Sequence, residues 1–165
     1  MSGSFDDFYA AHFGPLVVQL HAGTGNLAEA QDVVQEAFCR AWGRWDRLMG
    51  YDDPVGWVRR VAWNLAISRW RRARTALRFV ARQRVESVAG PDPDRVALTA
   101  ALARLPVKQR QAVTLFYLAD LTTAEIAQEC GVPESTVRSW LHRARAALLK
   151  ELSDPLEEMR RGSVG

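Results

Sequence analysis

Apolar residues recur along this chain at intervals of three and four, the spacing that lines one face of an α-helix. Phe5, Phe8, Leu16 and Leu20 predict a first helix reaching about His21, broken by Gly23, Thr24 and Gly25. Asn26, with Glu29 three residues on, has the form of a capping box that opens a second helix. From there Val34, Ala37, Phe38, Ala41, Trp42 and Trp45 make one long apolar stripe. Gly50 to Pro54 reads as a loop, with Asp53 as N-cap and Pro54 as the first residue of a helix that turns Val58, Val61, Ala62 and Leu65 inward.

The periodic pattern fades over residues 73–93 and ends in Gly90-Pro91-Asp92-Pro93, a linker signature. Helices are predicted again over about 94–104, from near Pro106 to Leu118, from a capping box at Thr122 and Glu125, and from Glu134 to Leu152, with a frayed tail after Pro155. No segment alternates with the period of a strand, so the fold class is all-α. The organisation expected is a helical domain over 1–74, a basic linker over 75–93, a second helical domain over 94–153 and a tail over 154–165.

Composition changes this picture little. The 165 residues are 48% hydrophobic and 25% charged, as in ordinary globular chains. The net charge is +3 and the pI about 9.2, so any nucleic-acid partner must be argued from where the charge sits. Cys39 and Cys130 have no CxxC spacing and fall in apolar helical stretches, where buried, unpaired thiols are expected. The N-terminus lacks the basic and apolar segments of a signal peptide, and no apolar run approaches the ~20 residues of a membrane span. A cytoplasmic protein with no membrane insertion is expected.

The most specific local pattern runs from Thr123 to Trp140. Ala127 is small where two helices would cross, Gly131 suits a turn with positive φ, and Val137 with Leu141 would anchor the second helix on the first. Ser135, Arg138, Ser139, His142 and Arg143 then face outward, as on a helix that enters the major groove of DNA. The competing reading is an ordinary helical hairpin with a solvated basic face.

Two other faces carry polar chemistry. Nine arginines lie between Arg59 and Arg84 with no acidic residue among them, a run that repels itself unless an anion such as phosphate neutralises it. Within it Trp57, Arg60, Asn64, Ser68 and Arg71 share a helical face opposite Val58, Val61 and Leu65. An amide beside aromatic and basic groups can read the edge of an unstacked base. A solvated arginine face is the alternative; Trp63 and Trp70 read as core or boundary residues. Asp32, Gln35, Glu36 and Arg40 share an exposed face away from Phe38 and Trp42. With no histidine nearby a metal site is not indicated; a solvated face and a protein-docking face both fit. There is no Walker loop, HExxH or nucleophile–base pair, so neither an enzyme nor a cofactor is expected.

Taken in order, these motifs resemble a known family. Glu29 to Trp42 looks like region 2.2 of the extracytoplasmic-function (ECF) sigma factors of the sigma-70 family, Trp57 to Arg72 like their regions 2.3 and 2.4, and Leu105 to Arg110 with the helix-turn-helix like region 4. The stretch around Trp45-Asp46-Arg47 and Asp53-Pro54 is similar to actinobacterial members. The resemblance implies two helical domains and no region 3 domain. It implies docking of Asp32, Gln35, Glu36 and Arg40 on the β′ clamp helices of core RNA polymerase. It implies a pocket for a flipped −10 base formed by residues 48–53 with Asn64, a second domain that reads the −35 element of promoter DNA and touches the β flap, and a linker directed toward the RNA exit path. An anti-sigma factor is a further partner that the family allows and no motif here encodes. Two residues depart from the family pattern: Ser135 where glycine is common before Thr136, and Trp140 where arginine is common. A repressor or activator acting without polymerase would leave the Asp32–Trp42 segment unexplained.

Overall fold

The structure, a computed structural model, describes residues 3–77 and 93–162. These form eight helices and, among the described residues, no strand. The chain falls into two compact units, Met1–Glu86 and Ser87–Gly165. The expected linker lies mostly outside the described residues.

The first unit contains α1 (Phe5–Thr24), α2 (Leu27–Trp42), the single turn α3 (Trp45–Leu48) and α4 (Pro54–Leu77). Ser4 caps α1 by accepting from the Asp6 amide, and the helix runs through Pro15. It passes Gly23 as well and stops only at Gly25, which adopts a left-handed conformation at φ 71°. Gly23 therefore does not break the helix as its sequence context suggests. It is buried where α1 meets α4, and a methyl group there would collide with the indole ring of Trp63. Asn26 accepts from the Glu29 amide as expected. The return half of the box is replaced: the Glu29 carboxylate accepts from Trp70 Nε1 at 3.0 Å instead.

Leu16 and Leu20 from α1, Val33, Val34, Ala37, Phe38 and Ala41 from α2, and Val58, Ala62, Trp63 and Ala66 from α4 form the buried core of this unit. The expected stripe on α2 ends early. The helix terminates at Trp42, α3 restarts at Trp45, and Trp42 is 63% exposed. Trp42 and Trp45 pack edge-on against Phe5, with ring centroids 4.9 and 5.3 Å away, so they belong to an aromatic rim rather than to the core. Cys39, expected to be buried, is exposed, and Cys130 is half-buried; both are thiols.

The second unit contains α5 (Pro93–Arg104), α6 (Val107–Tyr117), α7 (Thr123–Cys130) and α8 (Glu134–Gly162). Helix α8 continues to Gly162 instead of ending near Leu152. Leu115, Ile126, Val137, Leu141 and Ala144 are all but inaccessible and join α6, α7 and α8. Arg110 donates to the carbonyls of Ala103 and Leu105, satisfying oxygens that the end of α5 leaves over. Both halves of the Thr122–Glu125 capping box are formed, with the Thr122 hydroxyl accepting from the Glu125 amide at 3.2 Å and the Glu125 carboxylate accepting from the Thr122 amide at 2.7 Å. Thr122→Ala is expected to destabilise this unit by about 0.5–2 kcal/mol, read as a lower melting temperature, because it orphans an amide at the start of an eight-residue helix.

Candidate nucleic-acid interface

Helix α4 begins where Asp53 caps it, its Oδ1 accepting from the Gly56 amide at 2.9 Å. This fixes the register that turns Val58 and Ala62 fully inward and leaves Arg60, Asn64 and Arg71 exposed on the other side. Trp57 and Ser68 border that face and are half-buried, and so are Val61 and Leu65, which the pattern placed inward. All five residues of the expected base-reading face are thus brought together. The Asn64 side chain makes no hydrogen bond among the described residues, and its neighbour Trp63 is buried completely. Of the loop before α4, Met49, Gly50, Tyr51, Asp52 and Asp53 are exposed, while Leu48 is a core residue.

The arginine run is less uniform than its sequence. Arg59 is 6% exposed, 3.8 Å from the Asp53 carboxylate, and lies within the protein rather than on the exposed face of α4. Arg69 reaches across to α2 and pairs with Glu36 at 3.1 Å. Arg72 donates to Ser68 Oγ. Arg78, Arg82 and Arg84 lie outside the described residues. The two acidic partners come from outside the run, which a search within it could not find. Trp70 stands at the boundary, half-buried and bonded to Glu29.

On α2, Asp32, Gln35 and Arg40 are exposed. Glu36, expected to be exposed with them, is half-buried and holds two guanidinium groups, Arg40 at 2.7 Å and Arg69 at 3.1 Å. Gln35 Oε1 accepts from the Tyr9 hydroxyl at 2.8 Å, which ties this face to α1.

In the second unit α7 and α8 meet through a turn in which Gly131 has φ 66°, a conformation that costs any residue with a Cβ about 1–2 kcal/mol. Ala127 is buried at the crossing, and Val137 and Leu141 seat α8 on its neighbours. Ser135, Arg138, His142 and Arg143 are exposed and Ser139 is half-buried, so the expected recognition face exists as one surface. Two features of it escaped the sequence reading. Glu134 accepts a hydrogen bond from the Thr123 hydroxyl at 2.7 Å and an ion pair from Arg138 at 2.9 Å. Those bonds, the one from Thr123 first, hold its carboxyl below the usual carboxylate range. Arg145 donates to the Tyr117 hydroxyl at 2.8 Å and lies over the rings of Phe116 and Tyr117, fastening α8 to the end of α6. Trp140, at the position where arginine is common in the family the sequence resembles, is half-buried.

No described helix is long and apolar enough to cross a membrane. Two helical units, one with an arginine- and amide-bearing helix and one with a helix-turn-helix, define a class of DNA-binding transcription factor. Residues 9–76 match the family described as Sigma-70 region 2, and residues 95–148 match Sigma-70, region 4. The RNA polymerase sigma-E factor of Streptomyces antibioticus is 36% identical over 128 residues, covering 75% of this chain and 71% of that protein. The ECF RNA polymerase sigma factor SigL of Mycobacterium tuberculosis is 33% identical over 139 residues, covering 79% of this chain and 78% of that protein. The fold is shared with the sigma factor RpoE of Bartonella quintana, solved in complex with the anti-sigma factor NepR, at a TM-score of 0.77 and 24% identity over 90% of this chain and 96% of that one. The chain belongs to the ECF sigma factors of the sigma-70 family, promoter-recognition subunits of transcription initiation rather than enzymes.

Proposed function

We propose that the exposed surfaces divide the work of initiation between them. Asp32, Gln35, Glu36 and Arg40 on α2 dock on the β′ clamp helices of core RNA polymerase. Trp57, Arg60, Asn64, Ser68 and Arg71 on α4, with the loop before it, take up the −10 element as it melts. Ser135, Arg138, Ser139, His142 and Arg143 on α8 face the −35 duplex, and the second unit meets the β flap. The protein then acts in the cytoplasm, with the polymerase. The observation that carries this reading is Asn64, a polar amide without a hydrogen-bond partner among the described residues, exposed in mid-helix between exposed arginines and immediately after a fully buried tryptophan. Such an amide, beside basic and aromatic side chains, can both donate to and accept from the edge of an unstacked base. An anti-sigma partner is supported by the assembly in which the Bartonella quintana relative was solved.

The test of the whole is whether the purified chain and core polymerase start RNA at a defined promoter. The docking surface has its own test. Asp32 is exposed and makes no ion pair among the described residues, whereas Glu36 already holds two arginines, so charge reversal is informative at Asp32 and confounded at Glu36. Asp32→Lys is expected to weaken association with core polymerase in a pull-down or binding titration, while stability stays within about 0.5 kcal/mol of wild type. Core binding at wild-type strength would remove Asp32 from the interface.

A further inference from the structure

We propose that Glu134 is a specificity-determining residue of the recognition helix, and that its carboxylate selects a cytosine in the −35 duplex by accepting from the exocyclic amine. This rests on the reading of α8 as the −35 recognition helix.

Glu134 is the first residue of α8. In helix-turn-helix proteins the N-terminal residues of the second helix are the ones that reach base edges in the major groove. A carboxylate brought there faces phosphates on both sides. It is tolerated only where it meets a donor, and on a cytosine edge that donor is the N4 amine. A flexible glutamate would lose much of its freedom on making such a contact. Glu134 is already held: Thr123, at the start of α7, donates to Oε1 at 2.7 Å, and Arg138, one turn along α8, reaches the same oxygen at 2.9 Å. Among the described residues Oε2 accepts no hydrogen bond, so it is the atom left to offer. The side chain is 40% exposed, so the carboxylate is reachable from solvent although both its helices hold it. The bond to Thr123 separates this arrangement from an ordinary surface pair spaced four apart on one helix, because it comes from the neighbouring helix and fixes where the carboxylate points. The carboxylate is an acceptor only, and the bonds from Thr123 and Arg138 hold it further below the usual carboxylate range. Arg138, steadied in turn by Glu134, presents its remaining donors beside it and suits a guanine O6 and N7.

The experiment uses the full chain bound to core polymerase and a promoter library randomised across the −35 element. Recovered sequences are compared for wild type, Glu134→Ala, Glu134→Gln and Arg138→Ala. Wild type is expected to favour cytosine at one position by roughly 5- to 150-fold. Glu134→Ala flattens that position and leaves the others. Glu134→Gln keeps the shape but gains a donor, and moves the preference toward adenine, whose N6 and N7 pair with an amide. Two results overturn the proposal alone: a cytosine preference that survives Glu134→Ala, or a rise in binding that is equal on every sequence, which is the signature of relieved charge repulsion. A wild-type holoenzyme with no −35 preference at all overturns the proposal together with the assignment of α8 to that element.

Discussion

Asn64→Ala is expected to melt at or above the wild-type temperature while losing most open-complex formation on duplex promoters. The stability half follows from position. Asn64 is exposed in mid-helix and its side chain makes no hydrogen bond among the described residues, and asparagine is a poorer helix former than alanine by a few tenths of a kcal/mol. The activity half follows from chemistry. An amide paired to an extruded base contributes about 1–3 kcal/mol of discrimination at that base, and its loss falls on the step at which the duplex opens. Templates with a pre-melted bubble should recover part of the activity, because base capture no longer has to drive unpairing. Thermal melting and footprinting of open complexes on both templates make the comparison. A melting temperature well below wild type would show a structural amide, and the base-pocket assignment would be abandoned.

One residue away the expectation reverses. Trp63 is inaccessible, and its Nε1 finds no hydrogen-bond partner among the described residues, so its contribution is packing. Trp63→Ala should cost about 3–5 kcal/mol, measured by urea unfolding, from lost burial and the cavity left behind. Gly23→Ala should cost about 1–3 kcal/mol for the opposite reason, since the new methyl meets the indole. The two changes address one space. In the double variant the methyl occupies part of the cavity, and the combined loss should fall short of the sum by 1 kcal/mol or more on the usual scale for contacting sites. Additive losses would mean that the helices part elsewhere and that Gly23 does not set the approach of α1 to α4.

Much of this was legible in the sequence because helical period, caps and turn residues are local. The capping box at Thr122, the turn at Gly131, the cap at Asp53 and the outward face of Asn64 need only neighbours within a few residues, and each stands where the spacing put it. What escaped was non-local. Gly23 read as a helix breaker because nothing near it in sequence announces that Trp63 needs its missing side chain. Arg59 and Arg69 read as phosphate ligands because their partners, Asp53 and Glu36, come from before the arginine run. Trp42 and Trp45 read as core because the stripe was extended across the end of α2, and the rings that receive them begin with Phe5, some 40 residues earlier. Glu134 reads only as the start of a helix because Thr123 lies eleven residues back on another helix. Longer side chains reaching across helices are the part that a period cannot encode.

The ties from α2 to α4 have a last consequence. Glu36 grips Arg69 and Glu29 grips Trp70, so the helix proposed to meet polymerase and the helix proposed to meet melted DNA are pinned at two points along their crossing, over a close-packed core. Such a block has little compliance. It works as a gauge: once one edge is set against the enzyme, the other edge arrives at a fixed offset. New base preferences can then be written onto exposed positions of α4 without recalibrating the distance at which they are read, whereas a change at either pin would shift every reading at once.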